Sequence, residues 1–351
     1  MLRILGAGMA GLVAAARARQ LGLEVEVHEK GDRPGGSMRL SSCVIWRHRT
    51  LELFREECPG GDPALQALVV ERLDDAIAWL ESLGAEPAWQ ETGNPLTVGK
   101  RFDPERLTEL LVREAGEVRL GSTAAPAGPT LLATGGFQGS RELVDRYIRP
   151  AAPLRLRANP WSAGDGLRLA LDRGASLSAG MDEFYGRNMP DADLAPADFV
   201  PLSQLYGRFA RVVDERGEEF FRGEVSWSEN DLAQATARRP GARAWYLLDE
   251  DALRQRVRDR TVAEIVAAAP TRVEPSELPF APPPGTVAAV RVATAITHTI
   301  GGIAVDTRGR TGVDGLWAAG VDAGGIAAGG YASGLAQALV LGLAAAEDAA
   351  S

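Results

Sequence analysis

The chain has 351 residues, 45% apolar and 24% charged, the balance of a soluble globular protein long enough for two or three ordinary domains. Its net charge of -9 argues against a nucleic-acid partner, which calls for a basic face. Two cysteines, Cys43 and Cys58, are too few for an iron–sulfur cluster, and the scattered His28, His48 and His298 carry no metal-ligand spacing, so no metal is expected.

The densest signal comes first. Leu2-Arg3-Ile4-Leu5 reads as a short apolar strand, Gly6-Ala7-Gly8-Met9-Ala10-Gly11 as a G-x-G-x-x-G turn, and the alanine-rich run to Leu21 as a helix. This is the order of a dinucleotide-binding βαβ unit. Gly6 allows the tight turn, Gly8 lets the backbone approach a pyrophosphate, and Gly11 lets the helix lie close on the strand. The free N–H groups at Met9, Ala10 and Gly11 would face phosphates. A second strand, Glu24 to Glu29, ends on an acid placed to bond a ribose diol. With that first strand starting almost at Met1, no signal or transit peptide is expected, and a cytoplasmic location follows by default.

A turn-rich loop, Lys30 to Ser37, then brings a second glycine pair, Gly35 and Gly36, back toward the first turn. Leu65, Leu68, Val69, Leu73, Ile77 and Leu80 recur at helical spacing between Asp62 and Leu83, and a further helix is expected from Asp103-Pro104 to Glu114. A short strand over 117–120 precedes the apolar run Thr130-Leu131-Leu132-Ala133, which closes on Thr134-Gly135-Gly136. Gly164-Asp165-Gly166 opens another helix, with Asp165 read as its cap. From about Ala175 to Pro284 clean βαβ alternation disappears and aromatics gather, among them Tyr206, Phe220, Phe221, Trp245 and Tyr246. The proline cluster from Pro279 to Pro284 closes this stretch, which is read as an inserted domain. Residues 323–346 carry no charge and could span a bilayer by length, but their glycines, the lack of basic anchors and Gln337 favour a buried helix, and no membrane span is expected.

The run Glu29 to Trp46 resembles the signature of the flavoprotein group that contains soluble fumarate reductases, tricarballylate dehydrogenases and 3-ketosteroid dehydrogenases. Ser42 and Cys43 stand where two glycines are usual there. Thr130 to Phe137 is similar to the strand beneath the adenosine part of FAD in that group. The glycine-rich pieces from Gly315 to Gly334, with a closing helix from about Leu335, match its C-terminal FAD segment. A three-stranded hairpin carried by relatives before Thr130 is reduced here to Gly121–Pro129. The resemblance implies an α/β fold: a glutathione-reductase-like (Rossmann-type) FAD-binding domain in two parts, 1–174 and 285–351, with an inserted α+β cap, 175–284. It implies FAD held non-covalently, since no histidine stands at the flavin-linking position.

Gly6, Gly8, Met9, Ala10, Gly11, Glu29 and Lys30 would hold the cofactor from the first βαβ unit. Gly35, Gly36, Ser37, Ser41, Ala133, Thr134 and Gly135 would hold it from the following loops. Gly320, Ser333, Gly334 and Leu335 complete the set. A helix start at Gly334 and Leu335 would favour negative charge at the N1/O2 edge of reduced flavin, although close helix packing also accounts for those glycines. Val321 occupies the place of a glutamate that binds the ribityl chain in relatives, which leaves Asp322 to assume that role.

His298-Thr299-Ile300-Gly301-Gly302 matches the H-T-x-G-G of the fumarate reductase branch, whose histidine binds a substrate carboxylate; taken alone, a single histidine reads as structural. The arginine that serves that branch as proton donor has no counterpart in Gly217 to Glu229, which argues against fumarate reduction. Tyr331, Tyr206 and Arg222 remain as acid–base candidates, with Tyr331 beside the flavin-facing turn or simply bonded to a backbone carbonyl. The expected function is an FAD-dependent oxidoreductase acting on a CH–CH bond next to a carbonyl or carboxylate. Its small-molecule substrate would be partly apolar, on the strength of the cap aromatics, and its electron acceptor is unidentified. A flavin oxidase or monooxygenase acting on C–N or C–H bonds, and a non-catalytic flavin-binding protein, are the alternatives.

Overall fold

The apolar tetrapeptide Leu2–Leu5 is the middle strand of a five-stranded parallel sheet. Across the sheet the order is Leu316–Ala318, Thr130–Leu132, Leu2–Leu5, Val25–His28 and Val118–Arg119. A parallel sheet is covered on both faces, which is why Leu2–Leu5, Thr130–Leu132 and Leu316–Ala318 read as short, largely apolar runs. The computed structural model describes residues 1–125, 127–150 and 152–351. They form two units, one of Met1–Ile148, Ala158–Phe184 and His298–Ser351, the other of Arg149–Arg157 and Tyr185–Thr297.

In the first unit the helix Met9–Gln20 follows the glycine turn, and the last helix, Gly334–Ala349, lies across it. Alanine and glycine allow this closeness: a Cβ on Gly342 would stand 2.8 Å from the Ala10 carbonyl oxygen and 3.2 Å from Val13 Cγ1. The helix Pro63–Ser82 starts at Asp62, whose carboxylate accepts the N–H groups of Ala64 and Leu65, and it buries Leu65, Val69, Leu73, Ile77 and Leu80 on one stripe. The helix Pro104–Ala115 is capped in the same way by Asp103. A small antiparallel sheet joins Val44–His48, Thr97–Phe102 and Pro87–Trp89.

Two local expectations need correction. Asp165 does not cap its helix: Gly164 is the N-cap, and the Asp165 carboxylate pairs with Lys30 Nζ at 2.7 Å. The uncharged stretch 323–346 is not one helix, because helical structure begins only at Gly334; no helix among the described residues is long and apolar enough to cross a membrane.

The second unit is built on the 12-residue strand Ala288–Thr299, which pairs antiparallel with Arg243–Leu248 and Arg272–Val273 and parallel with Arg155–Leu156. These pairings move the unit boundaries from those expected. Residues 149–157 join this unit through Arg155–Leu156, and the long strand carries the chain past the prolines as far as Thr297. Residues 175–184 stay with the first unit, where Leu177 bridges Ile303. The gathered aromatics mostly fill the second unit's own core: Tyr206 and Tyr246 are fully buried with Leu232, Val262 and Val290, and Phe220 and Phe221 lie against that cluster. They no longer argue for an apolar substrate.

Candidate active site

The first turn has the shape its sequence implies. Gly6 sits at φ +103, where a side chain would be strained and would also strike the Ala133 carbonyl. A Cβ on Gly11 would collide with the Gly6 carbonyl oxygen, so this glycine sets the helix against the strand. Gly8 differs, since a Cβ there would meet nothing within 4 Å. Gly8 is the N-cap of Met9–Gln20 and offers no side-chain cap, so the N–H groups of Met9, Ala10 and Gly11 begin the helix facing that open space. The second glycine pair returns as expected, Gly35 donating its N–H to the Ala7 carbonyl at 2.7 Å. Glu29 is buried and oriented by two main-chain donors, Ala7 N–H at 2.8 Å and Gly31 N–H at 2.7 Å. A carboxylate has about four acceptor positions, so roughly half remain for hydroxyl groups.

The opposite end of the site lies at the last helix. Ser333 caps it, its Oγ accepting the Ala336 N–H at 3.3 Å, while the N–H groups of Gly334 and Leu335 precede any intrahelical acceptor. His298, near the end of the strand Ala288–Thr299, lies against this helix start: a Cβ on Gly334 would be 3.4 Å from His298 Cε1. Tyr331 stands beside them, half-buried, its ring centroid 6.4 Å from that of His298. Burial pushes the His298 imidazole down to about 4, so it is neutral near pH 7. Of the four residues expected to do chemistry, the fold thus brings two together.

The other two belong to the second unit. Tyr206 is fully buried in its core, with its hydroxyl donated to Gln204 Oε1 and its ring edge-on to Tyr246; burial pushes its phenol well above the ordinary value, and it is not a proton carrier. Arg222 is exposed. Asp322 also departs from expectation. It is wholly buried, and its two oxygens accept the Thr134 N–H, the Thr134 hydroxyl at 3.0 Å and the Gly136 N–H at 2.9 Å. It ties the strand end at Thr134 to the last segment instead of reaching for a ribityl chain.

Other expected cofactor residues also have protein partners. Ser37 Oγ accepts the Asn159 N–H at 3.0 Å, and Ser41 Oγ donates to the Met38 carbonyl while accepting the Cys43 N–H. Ala133 donates its N–H to Leu5, and Gly135 follows Thr134 in the left-handed region. Gly320 leaves room for the first helix, a Cβ there meeting Ala10 Cβ at 3.1 Å. Cys43 itself adopts φ +51, a conformation that suits the glycine usual at its place.

Sequence reasoning missed two residues here. His48 is fully buried, its Nε2 3.3 Å from the Tyr331 carbonyl oxygen, and Trp46 stacks edge-on to Tyr331 at 5.4 Å and to His48 at 5.3 Å. The alternation of the strand Val44–His48 was the available signal, because it puts Trp46 and His48 on one face.

A family model described as FAD binding domain matches residues 111–335, and one described as NAD(P)-binding Rossmann-like domain matches residues 4–45. The chain belongs to the FAD binding domain family. A probable fumarate reductase of Shewanella frigidimarina is 23% identical to this family member over 99% of the chain and 74% of its own length. An L-aspartate oxidase of Xylella fastidiosa is 29% identical over 64% of the chain and 40% of its own length. Among solved structures, the open conformation of a flavocytochrome c3 fumarate reductase superposes with a TM-score of 0.75 at 22% identity, covering 100% of this chain and 78% of that one. A 3-ketosteroid-Δ4-(5α)-dehydrogenase from Rhodococcus jostii RHA1 gives 0.74 at 18%, covering 100% and 96%. The likeness seen at Glu29–Trp46 and in the glycine-rich C-terminal pieces therefore extends across the fold, and FAD is the family's cofactor.

The residues present fit that cofactor. The uncapped helix start and the open space at Gly8 suit a pyrophosphate, Glu29 keeps acceptor capacity for a ribose, and the start of the last helix offers amides and a positive dipole end to a flavin ring.

Proposed function

We propose that this FAD binding domain family member is an FAD-dependent oxidoreductase acting on a CH–CH bond next to a carbonyl, in either direction. The observation that carries the reading is the placement of His298 and Tyr331 at the start of the last helix. Bound FAD supplies a carrier for a hydride, that is, for two electrons. The chain's own residues do the remaining work. The first-turn amides of Gly334 and Leu335 favour negative charge in front of the helix. His298, kept neutral by burial, offers a hydrogen bond and no fixed cation, which suits a carbonyl oxygen better than a carboxylate. Tyr331 carries the proton that leaves or joins the carbon beside that carbonyl. His48 and Trp46 hold Tyr331 in place, one through its carbonyl oxygen and the other through its ring.

Electrons pass onward to a diffusible carrier or a quinone. A C–N oxidase is the second reading, drawn from the likeness to the L-aspartate oxidase. The test is anaerobic bleaching of the purified yellow protein by saturated ketones, saturated dicarboxylates and amino acids in turn. Bleaching by ketones supports the proposal; bleaching by amino acids with peroxide release in air supports the oxidase. Material that is colourless and refuses added FAD removes both.

A further inference from the structure

Six large apolar side chains are exposed among the described residues, and Trp161 is the sole aromatic one, at 44%. Its position is built. The Trp161 N–H donates to Asn159 Oδ1 at 3.1 Å, the Asn159 N–H donates to Ser37 Oγ at 3.0 Å, and the Trp161 carbonyl accepts the Ala163 N–H at 2.8 Å. This turn lays the indole against the main chain just beyond the second strand: a Cβ on Gly31 would stand 2.7 Å from Trp161 Cδ1, 3.0 Å from Nε1 and 3.1 Å from Glu29 Oε1. Residues 121 and 122 arrive at the same place, with the Gly121 N–H on the Gly31 carbonyl and the Ser122 N–H on the Glu29 carbonyl. A rigid indole thus lies along one glycine, next to the acid suited to a ribose.

We propose that Trp161 forms a wall of the adenine-binding slot of this protein. The inference rests on the FAD assignment and adds to it the residue that recognises the far end of the nucleotide. An exposed indole on a fixed turn loses little freedom when a base stacks on it, and stacking tolerates any π-face. The slot selects for FAD over FMN, which has no adenosine, and binds ADP on its own.

The test uses flavin-depleted full-length protein, its Trp161→Phe and Trp161→Ala variants, and three probes: FAD, FMN and ADP. The protein has seven tryptophans, so the Trp161 signal is taken as the difference in emission between the parent and W161F. We expect ADP to quench that difference emission. We expect W161F to bind FAD and ADP nearly as the parent does, and W161A to raise both dissociation constants roughly ten-fold while leaving FMN binding and thermal stability unchanged. The proposal is overturned if W161A binds FAD and ADP like the parent, or if ADP binds without touching the difference emission. A parent that binds no FAD at all defeats the cofactor assignment as well, an outcome plainly distinct from equal affinity in W161A.

Discussion

Two glycines three residues apart, Gly8 and Gly11, should fail in opposite ways when changed to alanine. At Gly11 the new Cβ would overlap the Gly6 carbonyl oxygen, lie 3.0 Å from the Gly6 carbonyl carbon and 3.3 Å from Ile4 Cγ2. The first obstacles are main-chain atoms of a tight turn and cannot swing away, so the overpacking cost sits near the upper part of its usual range, about 3 kcal/mol. Alanine recovers about 1 kcal/mol of helix propensity over glycine, leaving Gly11→Ala destabilised by about 2 kcal/mol. That corresponds to a fall in Tm of roughly 4–8 °C. At Gly8 the φ of -80° suits any residue, and the new Cβ meets nothing within 4 Å. Gly8→Ala should therefore keep its stability to within about 1 kcal/mol. Its methyl group instead enters the space that a pyrophosphate needs, and the dissociation constant for FAD should rise roughly ten-fold or more. The assay is thermal unfolding of flavin-free protein beside a flavin titration of the same samples. The reasoning is refuted if G8A melts as early as G11A, or if G8A binds FAD as tightly as the parent.

Asp322→Asn replaces an acceptor with a group that must point an N–H₂ at donors from Thr134 and Gly136, and should cost about 3 kcal/mol in flavin-free protein. A loss confined to the flavin-loaded form would restore a cofactor role to this residue. For His298 the folded value of about 4 lies below the ordinary 6.5, so the unfolded chain binds more protons between them. Stability should be fully present above about pH 6.5 and decline as pH falls toward 4, and His298→Gln should flatten that slope in urea titrations at several pH values. Burial pushes the thiols of Cys43 and Cys58 up to about 12. A disulfide reagent at pH 8 should label neither in the native protein and both after unfolding; rapid native labelling would show that the loop at Cys43 opens.

What could be read ahead of the structure was what neighbouring residues decide together. Strand, glycine turn, helix and second strand lie within thirty residues, and each glycine's role follows from local geometry. The capping of Pro63–Ser82 by Asp62 is equally local. The readings that failed depend on partners far along the chain. Asp322 finds its donors 188 residues away at Thr134, and no spacing rule reports that. Tyr206 looked like a proton carrier because a tyrosine's burial depends on the sheet that covers it. The proline cluster looked like a boundary, yet the strand after it pairs backward with Arg243–Leu248 and so keeps the chain in the second unit. Tyr331 and His298 were reached through a family likeness, whereas His48, held by a single bond to a main-chain oxygen, left only its alternation with Trp46 as a trace.

The middle of the parallel sheet is made first and its edge beside Thr130–Leu132 last, and the helix that covers Met9–Gln20 is the final one in the chain. A nascent chain can therefore pack Pro104–Ala115 against this first helix early, but the part of its surface that Gly334–Ala349 covers stays open through some three hundred residues of synthesis. Folding of this unit is in consequence completed only once Leu316–Ala318 and Gly334–Ala349 have been made. Ribosome-bound chains arrested before Leu316 should expose a sticky hydrophobic face to chaperones, while extension through Ala349 should silence it in a single step.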